Sequence, residues 1–578
     1  MKNFAIKTNL MNQNIKTKLH FIVIVTLILL GSFVFSSDVY AATLGEIKSF
    51  YIDSSYDASG RKEVSATLER ISNQLYFYLD DSWWKSISSE EQNKVRGSLF
   101  YLANEFESKI YPILTYNFGL EWKPGIDGDE HITVLIHPMK KNRAGYFNSG
   151  DENSRLLVPT SNEREMIYLD SDYIADSVNK SFLAHEFLHL ITFNQKERIM
   201  GVEEETWLNE ARADYASTIL GYDLEYQGSN LQRRVNEFLK NPSDSIIDWQ
   251  NSPADYGALS MFTQYLVDYY GVKILTDSLH SSKKGIESIN YALAQNGFKE
   301  NFSQIFINWT ITVLVNDCSL GEKYCYKTPP LKNLRVVPTI NFLPVNSQTS
   351  LSANYLTKNW AASWHKIFGG GGTLIFEFDG GLRGDFSVPY IICDSFNICS
   401  VQILTLDENR DGKINIKDFN TKYTSLTIIP SVHNTDSESN FSFSWKASID
   451  LGASEEELIN QLLSQISALK AEIARVQAQI DVILGKKTTS CQKFTNNLYL
   501  GMTNSQEVRC LQEFLKNQDP DIYPEGLITG NFLSLTQGAV IRFQERYATE
   551  VLKPLGLEGG TGFVGPTTRA KINQLLGS

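Results

Sequence analysis

Apolar and polar positions change their rhythm several times along the chain. Between residues 44 and 115, Val64, Leu68, Ile71 and Leu75 fall at helical spacing and are followed by aromatics that include Trp83 and Trp84, so a helical opening is expected. Residues 132–136 read as a buried strand and 164–169 as a second. A helix is expected over 177–193, another around Trp207 to Tyr215, and helical text returns from Tyr256 to Val315. After Pro329 and Pro330, short runs rich in Thr, Ser, Phe and Ile over 336–447 predict a β-sandwich. The glycines at 369–372 lie between strand-like 363–368 and 373–378 and predict a hairpin turn. No βαβ pattern precedes them, which excludes a phosphate loop.

Two further stretches have patterns of their own. Ile459, Leu462, Ile466, Leu469, Ile473, Val476, Ile480 and Ile483 alternate steps of three and four, which is a heptad seam. Ser454 with Glu457 forms a capping box at its start, and Gly485 closes it. Such a helix serves either as a homo-oligomeric coiled coil, with core residues that do not choose between dimer and trimer, or as an intramolecular stalk packed on a neighbouring domain. At the N-terminus, Lys2, Lys7, Lys16 and Lys18 precede an apolar run over 21–34 and a stop near Ala41. That is a secretory signal peptide over 1–41 or, in the alternative, an uncleaved anchor, although the run is short for a transmembrane helix. Either way the body of the protein is exported.

Composition adds bounds to this picture. The chain has 578 residues, too many for one core, and 42% apolar content against 21% charged is enough to bury several. A formal charge of -13 makes nucleic acid a poor partner. The cysteines fall in close pairs, Cys318 with Cys325, Cys393 with Cys399, and Cys491 with Cys510, which in an exported chain read as local disulfides. No pair has the C-x-x-C spacing of a thiolate zinc site.

Residues 185–189 read H-E-F-L-H. On a helix, His185 and His189 share a face and can reach one ion, while Glu186, one step round, faces the water to be activated. Zinc suits such ligands. The positions where a metzincin would place Gly and a third His hold Thr192 and Gln195. Further on, Trp207-Leu208-Asn209-Glu210 offers the Glu210 carboxylate as third ligand, and Asp214, one turn later, can hold a ligand imidazole in its metal-binding tautomer.

On these motifs the stretch from 132 to 309 resembles the gluzincin zinc metallopeptidases, and among them the hyicolysin-like secreted bacterial enzymes. The resemblance implies a single catalytic zinc held by His185, His189 and Glu210, with Glu186 as general base and Asp214 behind the ligands. It implies protein or peptide substrates pairing along an edge strand, for which 164–169 is the candidate. It also points to Tyr256 as oxyanion stabiliser, where the alternative is a tyrosine packed at a helix start. His280 is a second possible donor. The family usually has Gly after the ligand Glu, and this chain has Ala211.

Residues 407–418 place Asp407, Asn409, Asp411, Asn415 and Asp418 at EF-hand positions with Gly412 at the turn. Their flanks look like strands, however, so a hairpin turn competes with a Ca2+ loop. From Cys491 onward the chain resembles the small helical peptidoglycan-binding domain, carried by Val508, Leu511 to Leu515, Gly526 to Phe532, Ala539 to Gln544 and Gly562 to Arg569. Leu533 and Ser534 stand where that family has Gly-Pro.

The expected whole is a multidomain α+β protein. It comprises a signal peptide (1–41), a gluzincin-type domain (42–335), a β-sandwich (336–450), a coiled-coil stalk and linker (451–487) and a peptidoglycan-binding-like domain (488–578). The expected function is a secreted, cell-wall-associated zinc endopeptidase. The alternatives are a peptidoglycan cross-bridge hydrolase and a non-catalytic adhesion or scaffold protein with an inert peptidase fold.

Overall fold

The computed structural model describes residues 42–344, 349–434, 440–450, 455–483, 491 and 493–577. The signal peptide, Ser454, Gly485 and the linker after it lie outside the described residues. The chain is multidomain α+β. It divides into two compact units, Met1–Glu225 with Leu275–Ala292, and Tyr226–Ile274 with Leu293–Ser578.

In the first unit, β1 (Ile47–Tyr51), β2 (Glu63–Ile71), β3 (Leu75–Asp80), β4 (Ile132–His137), β5 (Gly145–Phe147) and β6 (Met166–Asp170) form one sheet in the order β1-β2-β3-β4-β6-β5. β3, β4 and β6 run parallel, while β5 is antiparallel to β6. The helical opening expected from 44 is therefore incorrect over its first part. Val64 and Leu68, four apart, share a face in a strand as well as in a helix, and the buried Ala66 between them settles the period at two. Helices begin with α1 (Asp81–Ser86) and α2 (Ser89–Glu105), the latter opened by a Ser88–Glu91 capping box, and a π turn leads into α3 (Tyr111–Phe118). Further along come α4 (Asn179–Thr192) and α5 (Thr206–Ile219). The back of α4 is core: the Phe187 ring lies 4.9 Å from Phe106 and 5.6 Å from Tyr111.

α6 (Asn230–Lys240) precedes the expected helical text, which becomes α7 (Pro253–Tyr270), α8 (Lys273–Leu279), α9 (Gly285–Gln295) and α10 (Phe302–Val315). In the second unit, Trp309 of α10 donates to the Tyr326 hydroxyl, which donates in turn to the Met261 carbonyl of α7.

The sandwich has two layers. One is β8 (Ser350–Lys358), β17 (Asn440–Asp450), β10 (Gly372–Asp379) and β14 (Asp411–Phe419), in that order. The other is β7 (Thr339–Leu343), β9 (His365–Gly369), β15 (Tyr423–Ile428), β12 (Pro389–Asp394) and β13 (Cys399–Ile403). They meet along one edge at the Phe419–Tyr423 pair, while β11 (Phe386–Ser387) and β16 (Ser431–Val432) pair separately. Phe376, Phe443 and Trp445 from the first layer pack against Ile367, Leu426 and Ile428 from the second. The glycines at 369–372 do not close a hairpin, since β9 pairs with β7 and β15 whereas β10 pairs with β14 and β17. They carry the chain from one layer to the other, with Gly369 and Gly370 at positive φ and Gly370 held against Ile449.

The seam helix, α11 (Glu455–Ile483), makes intramolecular contacts: Glu472 pairs with Lys366 at 2.7 Å, and Gln465 bonds the Gly370 carbonyl. Ile466 and Ile473 of its seam remain half exposed. The C-terminal region contains α12 (Gln506–Gln518), α13 (Ser534–Arg546), α14 (Ala548–Val551) and α15 (Pro566–Leu575) around its own core. Gln512, fully buried, accepts from the Thr529 and Gly530 amides and donates to Thr536. Gln544 does the same with Thr561, Gly562 and Thr568. Leu511-Gln512 and Phe543-Gln544 thus begin two copies of one turn clamp. The three cysteine pairs are disulfides, and Cys393–Cys399 closes the β12–β13 turn. Among the described residues, no helix is long and apolar enough to cross a membrane.

Candidate metal centre

Helix α4 supplies His185, Glu186 and His189 on its polar face, and α5 brings Glu210 to them. Glu210 Oε2 lies 3.2 Å from His185 Nε2 and 3.7 Å from His189 Nε2, and the two imidazole nitrogens are 3.2 Å apart. All three ligand atoms fall within 4.8 Å of one another. Two imidazoles and a carboxylate converging in a largely buried pocket form the N,N,O donor set that a zinc ion takes in a catalytic site.

The electrostatics are those of a site built around positive charge. Burial works against a charged His185, but the Glu210 hydrogen bond and the charges of Glu186, Glu210 and Asp214 raise its pKa. His189 is shifted down by burial. Glu186 is pushed up to about 8, first by burial and then by Glu210, against the pull of His185.

Residues around the ligands fix their geometry. His189 Nδ1 donates to Asn209 Oδ1 at 2.9 Å, which aims the Nε2 lone pair at the centre. At His189 the imidazole is held by Asn209. Asp214 is buried and acts on His185 through its charge. Past Glu210, the fully buried Arg212 bonds Glu204 at 2.8 Å, the Ser278 hydroxyl at 2.8 Å and the Leu275 carbonyl at 3.2 Å. Lys196 adds bonds to the Ser278 and Ser281 carbonyls. Through Arg212, α5 is thereby tied to residues 275 and 278.

The sheet contributes its edge. Strand 164–169 was the expected edge, but β6 is covered on both sides by β4 and β5. The edge beside the site is β5, because the chain inserts 145–147 as an antiparallel strand before β6 is laid down. A Cβ on Gly145 would stand 2.7 Å from the Tyr168 carbonyl and 3.0 Å from Glu186 Oε1, so the strand needs glycine to lie this close to the carboxylate. Phe147, two residues on, stacks over His189 at 6.5 Å between ring centres.

No family model matches this chain, and no curated protein does. Among solved structures, the pre-peptidase C-terminal domain of a collagenase from Bacillus anthracis has a TM-score of 0.15 at 5% identity, covering 19% of this chain and 97% of that one. The Yersinia pseudotuberculosis-derived mitogen has 0.14 at 16%, covering 18% and 92%. PliG from Aeromonas hydrophila, a periplasmic inhibitor of g-type lysozyme, has 0.14 at 9%, covering 20% and 100%. Scores of this size carry no argument about fold or function.

Tyr256 belongs to the second unit, where its ring lies 4.7 Å from Trp249 and 4.1 Å from the Arg234 guanidinium. His280 Nε2 donates to the Phe118 carbonyl at 3.1 Å, an architectural bond. The EF-hand reading fails on geometry. Asp407 Oδ1 accepts from the Asn409 and Asp411 amides, capping a tight turn, and the chain then extends as β14 from Asp411. Asn415 lies four residues along that strand, about 13 Å from Asp411 at the usual rise, too far to close round one ion.

Sequence reasoning missed Asn209, Gly145 and the Glu204–Arg212–Lys196 network. Asn209 was within reach, being the residue before the ligand Glu. Gly145 and the network had no local signal, because their partners are distant in sequence.

Proposed function

We propose that this protein is a secreted, cell-wall-associated zinc endopeptidase of the gluzincin type. The observation that carries the reading is the convergence of His185, His189 and Glu210 beside the buried Glu186. A zinc ion held there supplies a Lewis acid and lowers the pKa of its water toward 7. Glu186 accepts a proton from the attacking water and returns it to the leaving amine. An extended peptide adds antiparallel to β5, with Gly145 leaving room for its backbone beside Glu186. Tyr256 is retained as a proposed oxyanion stabiliser on family resemblance alone. Three disulfides suit an extracellular location, and the C-terminal domain supplies the proposed attachment to peptidoglycan.

Purified protein is expected to carry one zinc, to hydrolyse casein, and to lose that activity to a chelator. Glu186→Gln should lower kcat by about a thousandfold or more while keeping the metal, and His185→Ala should lose the zinc. A zinc-loaded protein inactive on casein but active on isolated sacculi would instead make it a cross-bridge hydrolase. A metal-free wild type, or Glu186→Gln with full activity, would end the catalytic reading.

A further inference from the structure

A second group of acids lies elsewhere in the first unit. Glu152 ends a short 3-10 turn and Glu165 precedes β6, and the two are 3% and 2% exposed. Neither carboxylate forms an ion pair with Lys or Arg among the described residues. Apart from their contact with each other, both Glu152 oxygens and Glu165 Oε2 have no hydrogen-bond partner, while Glu165 Oε1 accepts from the Ile126 amide at 3.0 Å. Asp127 and Asp151 add further negative charge. Asp151 is fully engaged with Tyr168, Asn148 and the Asn162 amide. Gly125, at φ +88, passes so close that a Cβ would fall 1.6 Å from Glu165 Oε2.

Burying charged carboxylates without a compensating partner is strongly unfavourable unless something neutralises them. A shared proton would bridge one oxygen of each carboxyl and still leave the other Glu152 oxygen unsatisfied. A cation can take all three. The donors are oxygens only, and the site is framed by a turn at 125–129, the 3-10 turn and the head of a strand. Such a set suits a hard ion that tolerates irregular coordination, which is Ca2+ in preference to Zn2+.

We propose that Glu152 and Glu165 hold a buried Ca2+, with Asp127 at the solvent side completing its shell. The ion ties the 125–129 turn and the 3-10 turn to the sheet. This site is independent of the His185–His189–Glu210 centre and of the 407–418 turn.

The test is equilibrium dialysis of the full chain against radioactive calcium, followed by calorimetry with and without Ca2+. Wild type and Asp407→Asn should each bind one Ca2+ that a zinc-selective chelator does not remove, and the Glu152→Gln/Glu165→Gln variant should bind none. At about a hundredfold excess over Kd, Ca2+ should raise the wild-type unfolding midpoint by about 5–10 °C and leave the double variant unmoved. A wild type that takes up no calcium overturns the proposal however the variants fold, as does a double variant that keeps the ion. Preferential Mg2+ binding at the same residues overturns the choice of Ca2+. A Glu152→Gln chain that gains stability while the wild type ignores calcium would mark the pair as a proton-sharing dyad instead.

Discussion

At the scale of single residues, the His185–His189–Glu210 cluster is positioned in part by a neighbour outside it. Asn209 sets the tautomer of His189 by one 2.9 Å hydrogen bond. Asn209→Ala should therefore weaken zinc affinity by about 10–100-fold, read by competition with a chromogenic chelator, and added zinc should restore activity. His365 offers a pH prediction away from the site. It is 2% exposed in the sandwich, its ring lies 4.3 Å from Tyr355, its Nδ1 has no hydrogen-bond partner, and burial pushes its pKa down from 6.5 to about 4. The unfolded chain takes up this proton below pH 6.5 while the folded one refuses it until about 4. Stability is thus unaffected by His365 above pH 6.5, falls between 6.5 and 4, and is level again below. The loss should total about 3 kcal/mol, and urea titrations of His365→Gln should lack that component of the slope.

At the scale of elements, β5 shows how three residues can decide which strand is the edge of a sheet. By covering β6, it moves the available edge next to Glu186, and Gly145 permits the approach. Gly145→Val should cut kcat by about tenfold or more, because its side chain must displace the carboxylate or the strand, while zinc content stays at one per chain. Unchanged kcat would show that β5 is not where the substrate lies. The seam helix makes a complementary point. Its periodicity is that of a coiled coil, yet the Glu472–Lys366 pair and the Gln465–Gly370 bond fasten it to its own sandwich. A heptad pattern reports that a helix has an apolar stripe and is silent on what meets it.

At the scale of the whole molecule, separate cores predict separable stability. The C-terminal core is closed by Cys491–Cys510 with a sequence separation of 19. Replacing both cysteines by Ser should cost that domain about 3 kcal/mol. Calorimetry should show its transition moving down while casein hydrolysis stays unchanged. Loss of activity in step with that transition would show that catalysis depends on the domain's folding.

Several parts of this architecture were legible because they depend on neighbours in sequence. His185 and His189 meet wherever their helix goes, since positions four apart share a face, and the W-L-N-E element announced its carboxylate in the same way. The β-sandwich announced itself by alternation and the C-terminal repeats by their paired glutamines, although Val64 and Leu68 misled because a step of four fits either period.

What only the tertiary structure decided were the relations between distant segments. These include which strand forms the edge, that the 369–372 glycines cross layers, that Asn209 reaches His189, and that Glu152 meets Glu165. Each depends on strand order or on a close approach between segments remote in sequence, and local propensity carries no information about either. The sequence determined which donor groups the chain carries, and the packing of its elements determined where those groups are brought together.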